Sequence, residues 1–212
     1  MTVDADALAR DRAVDAFLTL IADKDYAGVS LRDVAGAVGI GLADLYRLHP
    51  DKPALVAAFL ARIDSQVLAG TPSAVDPEET PRDRLFDVMM RRYDALRPHR
   101  SALRALRRAS QHDPVLALAL ATPVRRSLAA MLEAASLASD GLSGAVRQNG
   151  LLVIHHAVLR VFDSDETTDL SKTMAALDSR LKTAERWSQF LDKYGIFGSR
   201  RRSAAGAGSP AV

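Results

Sequence analysis

The chain has 212 residues, 48% apolar and 25% charged, an ordinary globular balance that allows one core, or a small domain joined to a larger one. It has no cysteine, which excludes disulfides and thiolate metal sites. The net charge of +2 is unevenly spread: residues 1–70 hold seven Lys or Arg against ten Asp, a net of −3, whereas residues 82–127 hold eleven Arg against four Asp, a net of +7.

No stretch alternates β-branched and polar residues, so the expected fold class is all-α. Residues 6–24 form the first predicted helix, with Ala13, Phe17, Leu20 and Ile21 on one stripe. Ser30 opens "SLRD", a capping-box start in which Asp33 stands in place of the usual Glu. "VGIG" is the expected turn, with Gly39 and Gly41 supplying backbone angles that other residues resist. A very short helix runs to about Leu48 and stops at Pro50. Asp51 caps the next, which continues to about Ala69 and buries Leu55, Val56, Phe59 and Ile63.

"GTPSAVDPEETPRD" reads as a linker. Thr80, Pro81 and Asp83 then start a helix that ends near Leu96. Asp113–Pro114 and Thr122–Pro123 repeat the cap-plus-proline device and mark further starts, or a kink at Pro123. Two long helices close the fold, at about 141–162 and 170–194. On the last, Leu170, Met174, Leu177, Leu181, Ala184 and Leu191 follow 4-3 spacing, either a core stripe or a coiled-coil seam. The expected division is a helix-turn-helix unit at 1–50, a connecting helix at 51–70, a helical ligand-binding and dimerisation domain at 80–194, and a disordered basic tail at 195–212.

The apolar run "GLLVIHHAVLRVF" is too short to span a bilayer, and no positive n-region followed by an apolar stretch opens the chain. A cytoplasmic location without stable membrane insertion is expected. Catalysis finds no support: the chain has no glycine-rich phosphate loop and no nucleophile–base pair in a recognised context. His155 and His156 are adjacent, so they point about 100° apart on a helix and cannot chelate one metal together. No metal site and no cofactor are expected. Phe86, Met89, Met90, Tyr93, Met131 and His155 are the candidate lining of an apolar ligand cavity, against core filling as the plainer alternative. Arg97, Arg100, Arg104, Arg107 and Arg108 offer either a solvated helical face or a cradle for an anion.

The stretch "SLRDVAGAVGIGLADLYRLHPDKPALVAAFL" resembles the TetR family of bacterial transcriptional regulators over roughly the first third of the chain. The resemblance implies a short helix in the major groove of double-stranded DNA, read by a homodimer. It implies Tyr46 and Lys52 on phosphates, Ser30 and Arg32 near the backbone, and Leu42 and Arg47 at the groove. The chain departs from the family pattern at Leu42, Leu48 and His49, and Asp44 would face the phosphates. "RDRLFDVMMRRYDALRPHRSALRAL" and "TMAALDSRLKTAERW" resemble the lipid-binding accessory proteins of ubiquinone biosynthesis, which share the fold without using it on DNA. The two resemblances imply a regulator responding to an apolar small molecule or, alternatively, a lipid-binding accessory protein. Dimerisation is expected through the last two helices.

Overall fold

The computed structural model describes residues 2–72 and 74–193, with side chains from residue 6 to 186. The expected basic tail at 195–212 and the side chain of Leu191 lie outside the described residues.

Helix α1 (Thr2–Lys24) starts earlier than its sequence pattern suggested and buries Ala13, Val14, Phe17, Leu18 and Ile21. Helix α2 (Leu31–Val38) begins at the expected capping box. The Asp33 N–H donates to Ser30 Oγ (3.2 Å) and the Ser30 N–H to Asp33 Oδ2 (2.8 Å), so the side chains satisfy N–H groups the helix leaves unpaired. Gly39 ends α2 at φ 77°, and its N–H reaches the carbonyls of Ala35 and Gly36. Gly41 corrects the expected turn. It lies at φ −67°, an angle open to any residue, because it is the extended N-cap of helix α3 (Leu42–Leu48). One left-handed residue suffices for the turn.

Asp51 accepts the Ala54 N–H (2.7 Å) and starts helix α4 (Lys52–Ala69). Its buried residues Leu55, Val56, Phe59, Leu60, Ile63 and Val67 face α1 on one side and helices α5 (Pro81–Leu96) and α7 (Pro114–Ala134) on the other, with α7 the most extensive contact. The core is therefore one continuous cluster running from α1 into the second half of the chain.

A 3₁₀ turn over Arg97–His99 holds Pro98 and joins α5 to helix α6 (Arg100–His112). Asp113 caps α7, accepting from Val115 N (2.9 Å) and Leu116 N (3.0 Å). Asp113→Ala should cost about 1 kcal/mol in urea unfolding, and no change in midpoint would count against this cap. The second cap-plus-proline, Thr122–Pro123, starts nothing. Helix α7 runs through it with Pro123 inside, held by the packing of Leu116, Leu120, Leu128, Met131 and Leu132. By length and composition α7 is also the one helix among the described residues able to cross a membrane, which "GLLVIHHAVLRVF" is not.

Helices α8 (Gly141–Phe162) and α9 (Ser171–Lys193) close the fold. The 4-3 stripe leading into and along α9 is core over Leu170, Leu177 and Leu181, which are buried, whereas Met174 and Ala184 are exposed.

Candidate nucleic-acid interface and ligand cavity

Helix α3 is short and anchored by little. Leu45 is its one fully buried residue, while Leu42 and Tyr46 are exposed, Tyr46 at 61%. His49 caps its C-terminus and is buried. The His49 N–H donates to Leu45 O (2.7 Å), and Nε2 lies 3.4 Å from Arg10 O on α1. The position where the family resemblance expects an aromatic thus holds an imidazole that ties α3 to α1. Its neighbours Leu42, Asp44, Tyr46 and Arg47 stand free of the core on the outer surface.

The cations of this unit are mostly engaged within the chain. Arg47 NH2 pairs with Asp44 Oδ1 (3.2 Å), and Arg62 NH2 on α4 pairs with Asp15 Oδ1 (2.6 Å). Lys52 Nζ donates to the carbonyls of Tyr26 (2.8 Å) and Val29 (2.9 Å) and sits 4.1 Å from the Tyr26 ring centre. Burial lowers the Lys52 pKa, and burial together with Asp51 and Asp113 pushes Tyr26 up to about 12. Lys52 therefore fastens the segment between α1 and α2. Ser30 Oγ is taken up by the capping box. Among the described residues only Arg32, of these four cations, makes neither an ion pair nor a side-chain hydrogen bond.

A cavity of about 230 Å³ opens between α4, α5, α6, α7 and α8. Its walls are chiefly Phe59, Leu96, Leu103, Leu120 and Leu152. Of the six residues expected to line such a site, only His155 does so. Met89, Tyr93 and Met131 are fully buried core residues, and Phe86 and Met90 pack at the core's edge. Periodicity identified a buried face, but the void lies one helix further on, towards α6.

Polar groups reach the cavity wall in two separate pairs. In the first pair, Arg107 Nε donates to Asp163 Oδ2 (2.6 Å). In the second pair stands Arg92, 1% exposed, whose NH1 donates to Asp64 Oδ1 (2.6 Å). The Ser127 hydroxyl reaches the same oxygen (2.5 Å), and Arg92 Nε is buried without an acceptor. His155 Nδ1 and Tyr93 Oη are 3.0 Å apart. Among the described residues no three His, Asp or Glu gather as metal ligands would.

Burial lowers the pKa of His49, His99, His155 and His156, with His155 well below the ordinary 6.5 and Arg92 lowering it further. The folded state thus holds these imidazoles neutral, while the unfolded chain takes up protons near pH 6.5. Stability is full above that pH and is lost as pH falls below it towards the folded-state values. The midpoint of thermal unfolding should therefore drop between pH 7.5 and 5.5. A flat midpoint across that interval would contradict the buried neutral imidazoles.

The arginine run is partly a solvated face, with Arg97, Arg104 and Arg108 exposed, but it is not an open anion cradle, because its guanidiniums bond within the chain. Arg97 NH1 donates to Thr168 O (2.5 Å), Arg100 NH1 to Asp165 O, and Arg104 NH2 to Asp163 O (2.5 Å). Arg100 also covers the Phe162 ring. The run clamps the C-cap of α8 and the loop that follows it. Arg108 instead pairs with Asp25 (2.8 Å) and links α6 to the end of α1.

No protein-family model and no curated protein sequence matches the chain. Solved structures do. A TetR transcriptional regulator from Nitrosomonas europaea ATCC 19718 superposes with a TM-score of 0.66 at 23% identity, covering 84% of this chain and 98% of that one. A TetR transcriptional regulator from Rhodococcus sp. RHA1 gives a TM-score of 0.58 at 22% identity, covering 82% and 97%. The protein has the all-α fold of the TetR transcriptional regulators along nearly their full length.

Proposed function

We propose that the protein is a TetR-like transcriptional regulator that binds double-stranded DNA as a homodimer and responds to a small apolar ligand in the cavity. The observation that carries this is helix α3. A helix whose one fully buried residue is Leu45, with Leu42, Tyr46 and Arg47 turned outward, has the form of a reading element and contributes little to the core. The cavity supports the ligand response, because α4 forms one wall through Val56, Phe59 and Leu60 and begins beside α3. A ligand that prefers one position of α4 would shift the paired α3 helices and so the affinity for DNA. For the dimer, α8 exposes Leu142, Val146 and Val153 at 4-3-4 spacing around Asn149, which bonds to Arg125 of α7; α7 adds exposed Val115 and Leu118. This favours α7 and α8 as the dimer face over α8 and α9.

The Asp44–Arg47 pair predicts the DNA behaviour. Asp44→Asn should strengthen binding in two ways: it removes a charge that repels phosphate, and it frees the Arg47 guanidinium. The slope of log affinity against log salt should steepen by about 2 per dimer. Arg47→Ala should relax preference at particular base pairs by about 1–3 kcal/mol. Tyr46→Phe should weaken all sequences alike. Fluorescence anisotropy across a salt series checks these outcomes. An Asp44→Asn protein that binds more weakly would overturn the assignment of α3 as the reader.

The lipid-accessory role has one observation in its favour, the net charge of −3 over residues 1–70. A cavity of about 230 Å³ is small for an isoprenoid chain. Extraction of a co-purifying long-chain lipid, together with absence of DNA binding, would favour that role.

A further inference from the structure

The cavity is rich in unspent donors and poor in acceptors. Arg107 and Asp163 satisfy each other, and Ser110 Oγ donates to the Arg107 carbonyl (3.0 Å). Behind the cavity wall Asp64 already accepts from both Arg92 NH1 and Ser127. Arg92 keeps a buried Nε with no acceptor, although it is 1% exposed. His155 uses only Nδ1, and His156, which also lines the cavity, makes no hydrogen bond among the described residues. A buried guanidinium with an unmet N–H beside free imidazole nitrogens lacks an acceptor that the chain does not provide.

We propose that the cavity binds a small apolar monocarboxylate, with its hydrocarbon part among Phe59, Leu103, Leu120 and Leu152 and its carboxylate at Arg92 and His155. The proposal rests on the ligand-responsive reading above and names the chemical class of the ligand. The size agrees: an apolar cavity of about 150 Å³ holds benzene, so about 230 Å³ suits one ring or a short chain bearing a carboxylate. The planar fork of Arg92 matches a carboxylate better than a hydroxyl.

Charge balance adds a second consequence. The groups around His155 are Arg92 and Tyr93 from α5, Asp64 from α4 behind Arg92, Arg107 from α6, His156 from α8 and Asp163 at its C-cap; α7 lines the cavity only with Ala117, Leu120, Ala121 and Val124. Two arginines balance two aspartates, and the imidazoles are neutral. An entering carboxylate leaves one negative charge in excess, which a proton on His155 neutralises. Tyr93 Oη then accepts from Nδ1–H, and Nε2–H faces the carboxylate.

The test uses the full-length protein without DNA, so its outcome is independent of whether α3 reads DNA. Benzoate, phenylacetate and hexanoate are compared with benzyl alcohol and 1-hexanol by calorimetry at pH 7, in two buffers of different ionisation enthalpy. The acids should bind at least tenfold more tightly than the alcohols, with uptake approaching one proton. In Arg92→Met/Asp64→Leu, which replaces the buried pair with apolar side chains, acids and alcohols should bind alike. In His155→Gln the proton uptake should vanish. Alcohols binding as tightly as acids, failure of every acid to bind, or an acid preference that survives both variants would overturn the proposal.

Discussion

Arg92→Met should lower stability by about 3–5 kcal/mol, the largest effect expected of any single substitution outside the apolar core. Arg92 is one of the largest fully buried side chains, and its NH1 bonds to Asp64, which is 14% exposed. Removing the guanidinium leaves the Asp64 carboxylate in apolar surroundings with only the Ser127 hydroxyl as a donor. Exchanging both partners for apolar side chains, in Arg92→Met/Asp64→Leu, should recover most of the loss, because the desolvation of two ions is then avoided. Urea unfolding of the two single variants and the double variant measures the coupling. A loss below about 1 kcal/mol for Arg92→Met would show that the pair is solvated and not part of the core. The pair also ties α4 to α5 with Ser127 of α7 behind it, so the same measurement tests how firmly α4 is held against the cavity.

Leu45→Ala should cost about 2–5 kcal/mol and abolish DNA binding before it unfolds the rest of the protein. Leu45 is fully buried and is the single core anchor of α3; His49 at the C-cap and the turn around Gly39 complete the attachment. A cavity under α3 leaves a short helix with little to hold it, and a helix of this length does not persist alone. Leu42→Ala provides the contrast. It removes exposed surface, should change stability by less than about 0.5 kcal/mol, and should affect binding to DNA only. Thermal unfolding followed by both helical signal and DNA anisotropy separates these outcomes. Leu45→Ala protein that binds DNA as well as the parent would remove α3 from the interface.

Local chemistry made the helix starts legible. Ser30, Asp51, Thr80 and Asp113 each cap a helix where the sequence placed one, since a cap involves residues two or three apart. At Thr122–Pro123 the device starts no helix, and of the two alternatives there the proline inside α7 is the one the structure retains. Long-range partners were not legible. Lys52 looked like a free phosphate contact because its acceptors are carbonyls of Tyr26 and Val29, which no side chain advertises. The partners of Arg97, Arg100 and Arg104 were hidden for the same reason, since their acceptors are carbonyls of Thr168, Asp165 and Asp163 just beyond α8. The cavity could not be placed from periodicity, which marks Met89, Tyr93 and Met131 as buried but is silent on where packing leaves a void. Its donor surplus becomes visible only when Asp64, Arg92 and Ser127 come together from three helices.

In the proposed regulator, a helix-turn-helix poor in free cations still reads DNA. Titrating the folded protein with its own upstream region at low salt tests it most directly. Specific binding with a shallow salt dependence, strengthened by Asp44→Asn, is the expected result. A folded protein that binds no DNA at low salt, and that Asp44→Asn does not rescue, would contradict it.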